Sequence, residues 1–131
     1  MTGTARETTA DCLLWIGTSG YSYTEWLEAG FYPPGTRNAA MLRLYARSFP
    51  VTELNHTWYQ LPRAEAVERQ RLQAPPGFRF TAKLTRSLTH EVQPEAWRGQ
   101  LRAYREGIAP LVQAGQLLAV LVQLPPGLDQ G

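Results

Sequence analysis

Glu53 and Asn55 stand two residues apart in the run VTELNHTWY (residues 51–59), which otherwise has the composition of a strand. Alternate strand residues share a face, so Val51, Glu53 and Asn55 are expected on one side and Thr52, Leu54 and His56 on the other. A carboxylate in a buried strand is costly unless a polar cavity or a cation answers it. Lys83 is the candidate cation. It is the only lysine among thirteen basic residues, and lysine, unlike arginine, can give up its proton when buried. Glu53 and Lys83 therefore suit acid–base chemistry, with His90 as a proton carrier close by. Lys83 could alternatively form a Schiff base with a carbonyl substrate. A structural ion pair is the competing reading of the same two residues. Ser19, Asn55 and Gln123, with the rings of Tyr21, Trp26 and Tyr59, would orient a polyhydroxylated ligand by hydrogen bonding and stacking, although loop aromatics also serve to pack the loops. The turn GTSGYS could hold a phosphate on its backbone N–H groups. No metal site is expected, because Glu53, His56 and His90 match no standard ligand spacing and His56 alternates away from Glu53. GxGxxG, P-loop and nucleophile-elbow motifs are absent, and the cofactor is left open.

These side chains need strands to carry them. Residues 13–17 (LLWIG) read as a buried parallel strand that feeds a long, glycine- and proline-punctuated loop over residues 18–37. Asn38 is placed to cap a helix reaching residue 49, with Met41, Leu42, Tyr45 and Phe49 on one face. After the Glu53 strand comes a polar helix over residues 64–73. FRFTAKL (residues 78–84) alternates, with Phe78, Phe80, Ala82 and Leu84 on one face and Arg79, Thr81 and Lys83 on the other. Pro94 opens a long helix that Gly115 closes, and LLAVLVQL (residues 117–124) reads as a fourth buried strand. Strands alternating with helices imply a parallel sheet joined by right-handed crossovers. Polar residues on inward strand faces favour a barrel over an open doubly wound sheet, and the candidate site residues gather late in strands or just after them, where barrel active sites lie.

The bulk composition narrows the class further. The chain has 131 residues, 44% of them hydrophobic, enough for the core of one domain. A formal net charge of +2 is too small and scattered to argue for nucleic acid or an anionic membrane. The single cysteine fits a reducing compartment. The polar first residues lack the apolar run of a signal peptide, so a cytoplasmic location is expected. Residues 1–11 read as a flexible lead-in.

The runs IGTSGYSYTEW, FYPPG, TELNHTWYQLP, FRFTAKLTRSLTH and LLAVLVQLPPG resemble successive blocks of the YecE-like family, catalogued as domain of unknown function number seventy-two. The resemblance runs from about residue 14 onward with the blocks in family order. His56 and Trp58 stand where the family more often shows a small polar residue and Phe. The resemblance implies an α/β fold of TIM-barrel type. It also implies that Glu53, Asn55, Lys83, His90 and Gln123 occupy the family's recurring polar positions. The family is grouped loosely with sugar isomerases. A full barrel needs eight strands and about 250 residues, so residues 12–131 are expected to be the N-terminal half of such a domain, truncated after its fourth strand. The missing half, or a second copy of the chain as a homodimer, is then expected to complete the barrel. The function expected is an enzyme, or its remnant, acting on a small polar, sugar-like or phosphorylated molecule. The alternative is a non-catalytic module that binds a ligand or nucleic acid.

Overall fold

The computed structural model describes residues 6–9 and 12–127. Strands β1 (Arg6–Thr9) and β2 (Cys12–Trp15) pair as an antiparallel hairpin. Strands β3 (Gly17–Ser19), β4 (Val51–Leu54), β5 (Arg79–Lys83) and β6 (Leu117–Leu121) form a parallel sheet in sequence order. Between β3 and β4 lie α1 (Glu25–Glu28) and α2 (Asn38–Tyr45). Between β4 and β5 lie α3 (His56–Tyr59) and α4 (Ala64–Arg71), and α5 (Trp97–Gln113) connects β5 to β6. The fold is therefore α/β with a parallel sheet, as the alternation of patterns implied.

One face of the sheet is covered by helices. Met41, Leu42 and Tyr45 from α2, Val67 from α4 and Leu111 from α5 pack with Leu54 of β4 and Phe80 and Ala82 of β5 in one apolar cluster. The alternation of FRFTAKL is realised as expected, since Phe80 and Ala82 are fully buried while Thr81 and Lys83 on the opposite face are not. On that opposite face Ser19, Glu53, Thr81 and Ala119 stand side by side in the ladders. No described helix contributes to it; it is a depression of about 450 Å³ whose lining includes Trp15, Gly17, Val51 and Leu118.

Several expected boundaries move. Residues 13–17 are not one strand of the parallel sheet. Cys12–Trp15 pairs with β1, and the chain joins the parallel sheet only at Gly17. A Cβ at Gly17 would fall on the Val51 carbonyl oxygen, so the close approach of β3 to β4 starts at a residue without one. Within the expected lead-in, residues 6–9 form β1, and the remainder lies outside the described residues. The helix expected to reach residue 49, α2, stops at Tyr45, and Asn38 is its first residue, not its cap; the Asn38 side chain instead accepts a bond from the Ser22 hydroxyl at 3.3 Å. The polar helix and the last helix are shorter than expected. At the end of α5 the Gln116 N–H reaches Leu111 O at 2.9 Å and the Gly115 N–H reaches Val112 O at 3.0 Å. That is a Schellman stop, with Gly115 at φ +69°. Register shifts where β6 leaves Phe80, so Leu117 packs on the helix side and Ala119 and Leu121 turn to the opposite face.

The close contact between α5 and the chain entering α4 gives a direct test of this packing. Gly107 is buried, and a Cβ there would collide with the Pro62 carbonyl. Gly107→Ala is expected to destabilise the fold by about 1–3 kcal/mol despite alanine's better helix propensity. Chemical denaturation would read it as a lower midpoint, whereas an unchanged or raised midpoint would contradict the contact.

Candidate functional site

Strands β3 and β4 are tied together along their length before any ligand is considered. The Thr18 N–H donates to the Tyr45 hydroxyl at 2.7 Å, and that hydroxyl donates to Val51 O at 2.9 Å. Beyond the strand, the Gly20 N–H donates to Glu53 O at 3.0 Å. Gly20 turns the chain at φ +88°, and a Cβ there would meet the Tyr23 hydroxyl at 2.8 Å and Asn55 Nδ2 at 3.4 Å. The Tyr23 hydroxyl in turn donates to Ser19 O. This scaffold sets Ser19 opposite Glu53. The Ser19 hydroxyl lies 2.8 Å from Glu53 Oε1 and 3.0 Å from Asn55 Oδ1. With one proton, it serves one of these acceptors at a time.

Asn55 reaches this cluster by a route other than strand alternation. β4 ends at Leu54, Asn55 has helical φ/ψ, and residues 56–59 form a helical turn in place of the expected strand. Thr57 fixes that turn. Its buried hydroxyl donates to Leu54 O at 3.2 Å or to Lys83 O at 2.7 Å, and Thr57 O accepts from the Thr85 hydroxyl at 2.6 Å. His56 is consequently not turned away from Glu53. Both line one cleft of about 270 Å³ with Gly20, Tyr21, Ser22, Tyr23, Leu54, Asn55 and Gln70. His56 Nε2 lies 3.1 Å from Gln70 Oε1, and Gln70 Nε2 donates to the Tyr21 hydroxyl at 2.6 Å.

Of the residues expected to form a site, Ser19, Tyr21, Glu53 and Asn55 are brought together. Lys83 shares the sheet face of Glu53, but the register sets Glu53 beside Thr81, so Lys83 lies two residues further along. At about 3.3 Å rise per residue and 4.8 Å between strands, their backbones stand about 8 Å apart. No ion pair joins them among the described residues, so the expected Glu53–Lys83 pair is not made within this chain. Trp26 is a packing residue: its ring lies 4.9 Å from Tyr23, 5.2 Å from Phe31 and 6.3 Å from Tyr45. Tyr59 is 65% exposed and meets Trp58, whose ring also contacts His90 at 5.4 Å. His90 hydrogen-bonds Thr89 through Nδ1 at 2.8 Å and does not line the cleft. Gln123 is exposed beyond the end of β6. Among the described residues, no three His, Cys, Asp or Glu side chains are grouped to hold a metal.

Two residues lining the cleft were not expected there: His56, placed by alternation on the face opposite Glu53, and Gln70, which the sequence pattern did not single out. Gln70 follows Val67, the buried residue of α4, by one helical turn, and that spacing places it on the inward side. Two larger grooves, of about 380 and 530 Å³, lie on helix surfaces around Leu72 and around Val112. Neither gathers a carboxylate, an amide and a hydroxyl at strand ends.

Burial acts on three phenols, of which Tyr21 lines the cleft. It raises the pKa of Tyr21 and of Tyr32, and it pushes Tyr104 up to about 12. The folded state thus favours the neutral phenols. That contribution to stability is complete below the ordinary phenol pKa of about 10 and is lost as pH rises through the folded values. An alkaline absorbance titration is expected to show these three of six tyrosines ionising late, together with loss of near-UV CD. Ionisation of all six below pH 11 with the fold intact would contradict it.

The family profile described as "Protein of unknown function DUF72" matches residues 15–131. The UPF0759 protein YunF of Bacillus subtilis is 26% identical over 121 residues, covering 89% of this chain and 42% of the relative. The UPF0759 protein YecE of Escherichia coli K12 is 33% identical over 79 residues, covering 60% and 26% respectively. Among solved structures, a DUF72 family protein (TM1631) of Thermotoga maritima aligns with a TM-score of 0.73 at 30% identity, covering 89% of this chain and 46% of that one. The chain spans less than half the length of these relatives.

Proposed function

This chain belongs to the DUF72 family, and on that premise we propose that it forms half of a TIM-type barrel with an acid–base site at the carboxyl ends of its strands. Strands in sequence order, helices on one face and a polar row on the other support the barrel reading over a doubly wound sheet. The proposed substrate is a small polar, sugar-like or phosphorylated molecule in a reducing, cytoplasmic setting. No described helix is long and apolar enough to cross a membrane.

The observation that carries the proposal is the Ser19 hydroxyl set between the Glu53 carboxylate and the Asn55 amide at the ends of adjacent parallel strands. When Ser19 donates to Glu53 it fixes the orientation of the half-buried carboxylate, a requirement for a proton acceptor that must meet a particular C–H bond. Glu53 takes the proton from a carbon next to a carbonyl. Lys83, further along the same face, offers positive charge to the oxygen on which negative charge develops. The remaining half of the family domain, or a second copy of the chain, closes the site from the open face.

The test is deuterium exchange. D-glucose, D-fructose and their 6-phosphates are incubated with the chain in D2O, and loss of the proton next to the carbonyl is followed by NMR. Catalysed exchange with any of them is the expected result; none above buffer would overturn the acid–base reading.

A further inference from the structure

We infer that Thr81 is a further substrate-binding residue of the Glu53 site, and that the ligand reaches from Glu53 onto the sheet face over β5 and β6. The inference rests on the proposed function and deepens it by placing the ligand. Register sets Ser19, Glu53, Thr81 and Ala119 in one row across the four parallel strands. Neighbours in such a row share a face, and their strands stand about 4.8 Å apart. Glu53 therefore has a hydroxyl residue on each side, and the two hydroxyls differ. Ser19 Oγ is 2.8 Å from Glu53 Oε1 and 3.0 Å from Asn55 Oδ1. The Thr81 hydroxyl has no hydrogen-bond partner among the described residues. That sets it apart from the other threonines of the parallel sheet and its strand ends. Thr18, Thr52, Thr57 and Thr85 each donate to a backbone carbonyl. Their hydroxyls hold the fold together, and the Thr81 hydroxyl is left for a ligand.

The surroundings of Thr81 suit that role. Thr81 and Glu53 line one depression of about 450 Å³ with Trp15, Leu118 and Ala119. That volume lies within the range of small-molecule sites. Ala119, the neighbour of Thr81 in the row, has a side chain of one methyl group and leaves room over β6. Trp15 offers an aromatic wall to the C–H face of a sugar. Lys83 follows Thr81 by two residues on the same face, so Glu53, Thr81 and Lys83 border one area of it. A threonine hydroxyl can donate and accept without any change of protonation. Thr81 bonds the oxygen on the carbon from which Glu53 takes the proton, while Lys83 answers the carbonyl oxygen on the next carbon. The ligand class is then an α-hydroxy carbonyl compound.

Thr81→Val removes the hydroxyl and keeps the branched shape, so deuterium exchange with D-fructose, D-glucose and their 6-phosphates reads that one bond. The expected result is a KM raised about tenfold with kcat within twofold of the parent, as for a bond made equally in the ground and transition states. Thr81→Ser, which keeps a hydroxyl, is expected to recover the parent KM to within threefold. Ala119→Leu fills the depression and is expected to raise KM at least tenfold. An unchanged KM in Thr81→Val, or a Thr81→Ser as impaired as Thr81→Val, would overturn the role of the hydroxyl and leave the Glu53 reading standing. An unchanged KM in Ala119→Leu would overturn the placement over β6. A parent chain that exchanges none of the four compounds would overturn both this inference and the function on which it rests.

Discussion

Glu53→Gln is expected to lower catalysed deuterium exchange by 10²–10⁴-fold, the usual contribution of a positioned proton acceptor. The substitution keeps the side chain's size and one oxygen, so the Ser19 hydroxyl still has its acceptor 2.8 Å away. What it loses is the group that takes the proton. The melting temperature is expected to stay within a few degrees, because Glu53 makes no ion pair among the described residues that the change would break. Ser19→Ala separates positioning from chemistry. It leaves the carboxylate in place but free to rotate, and a smaller loss of about tenfold is expected. Equal exchange rates in Glu53→Gln and the parent chain would assign the carboxylate to structure.

The chain at micromolar concentration is expected to sediment as a self-associated species. Among the described residues, strands β3 and β6 are the sheet's two edges, each paired on one side only. Leu118 and Leu121 of β6, with Val122 and Leu124 just after it, are each 41–54% exposed. Fully burying such a side chain is worth about 1.5–3 kcal/mol, against about 5–15 kcal/mol for a whole domain, so several half-exposed ones are a large driving force. Two copies that pair β3 of one with β6 of the other make an eight-stranded ring related by a two-fold axis. The remaining half of the family domain would cover the same surface and abolish the self-association. Leu118→Glu with Leu121→Glu is expected to turn the self-associated species monomeric in sedimentation velocity. A parent chain that sediments as a cooperative, well-packed monomer would contradict the argument.

What the sequence revealed follows from what kind of force decides each element. The faces of β5 were readable because alternation is a local consequence of pleating and the helix layer takes every apolar residue on one side. In α5 the same force acts at helical spacing, burying Tyr104, Ile108 and Leu111. The end of β4 was not. Thr57, Trp58 and Tyr59 favour strands by composition, and the turn that replaces a strand there is held by Thr57 bonding to Leu54 and Lys83 and by Thr85 bonding to Thr57. Two of these bonds reach 26 and 28 residues along the chain, beyond any local pattern. The same turn carries His56 into the cleft, which is why alternation placed it wrongly. Glu53, Ser19 and Asn55 could be singled out because polar residues late in buried strands are unusual, and Tyr21 only as a loop ring; the structure brings the four together. Trp26 and Tyr59 show the limit of that logic: a ring in a loop carries no mark of whether it stacks on a ligand or on other rings.

The central claim is that the cleft lined by Glu53, Asn55 and His56, with Ser19 bonded to the first two, is where this protein meets its ligand. Hydrogen–deuterium exchange mass spectrometry, with and without millimolar D-glucose and D-fructose, tests it most directly. The predicted result is slower amide exchange in peptides spanning residues 17–23 and 53–59, with a smaller effect around Gln70 and none around Val112. Protection confined to the grooves at Leu72 or Val112, with residues 17–23 and 53–59 unchanged, would contradict it.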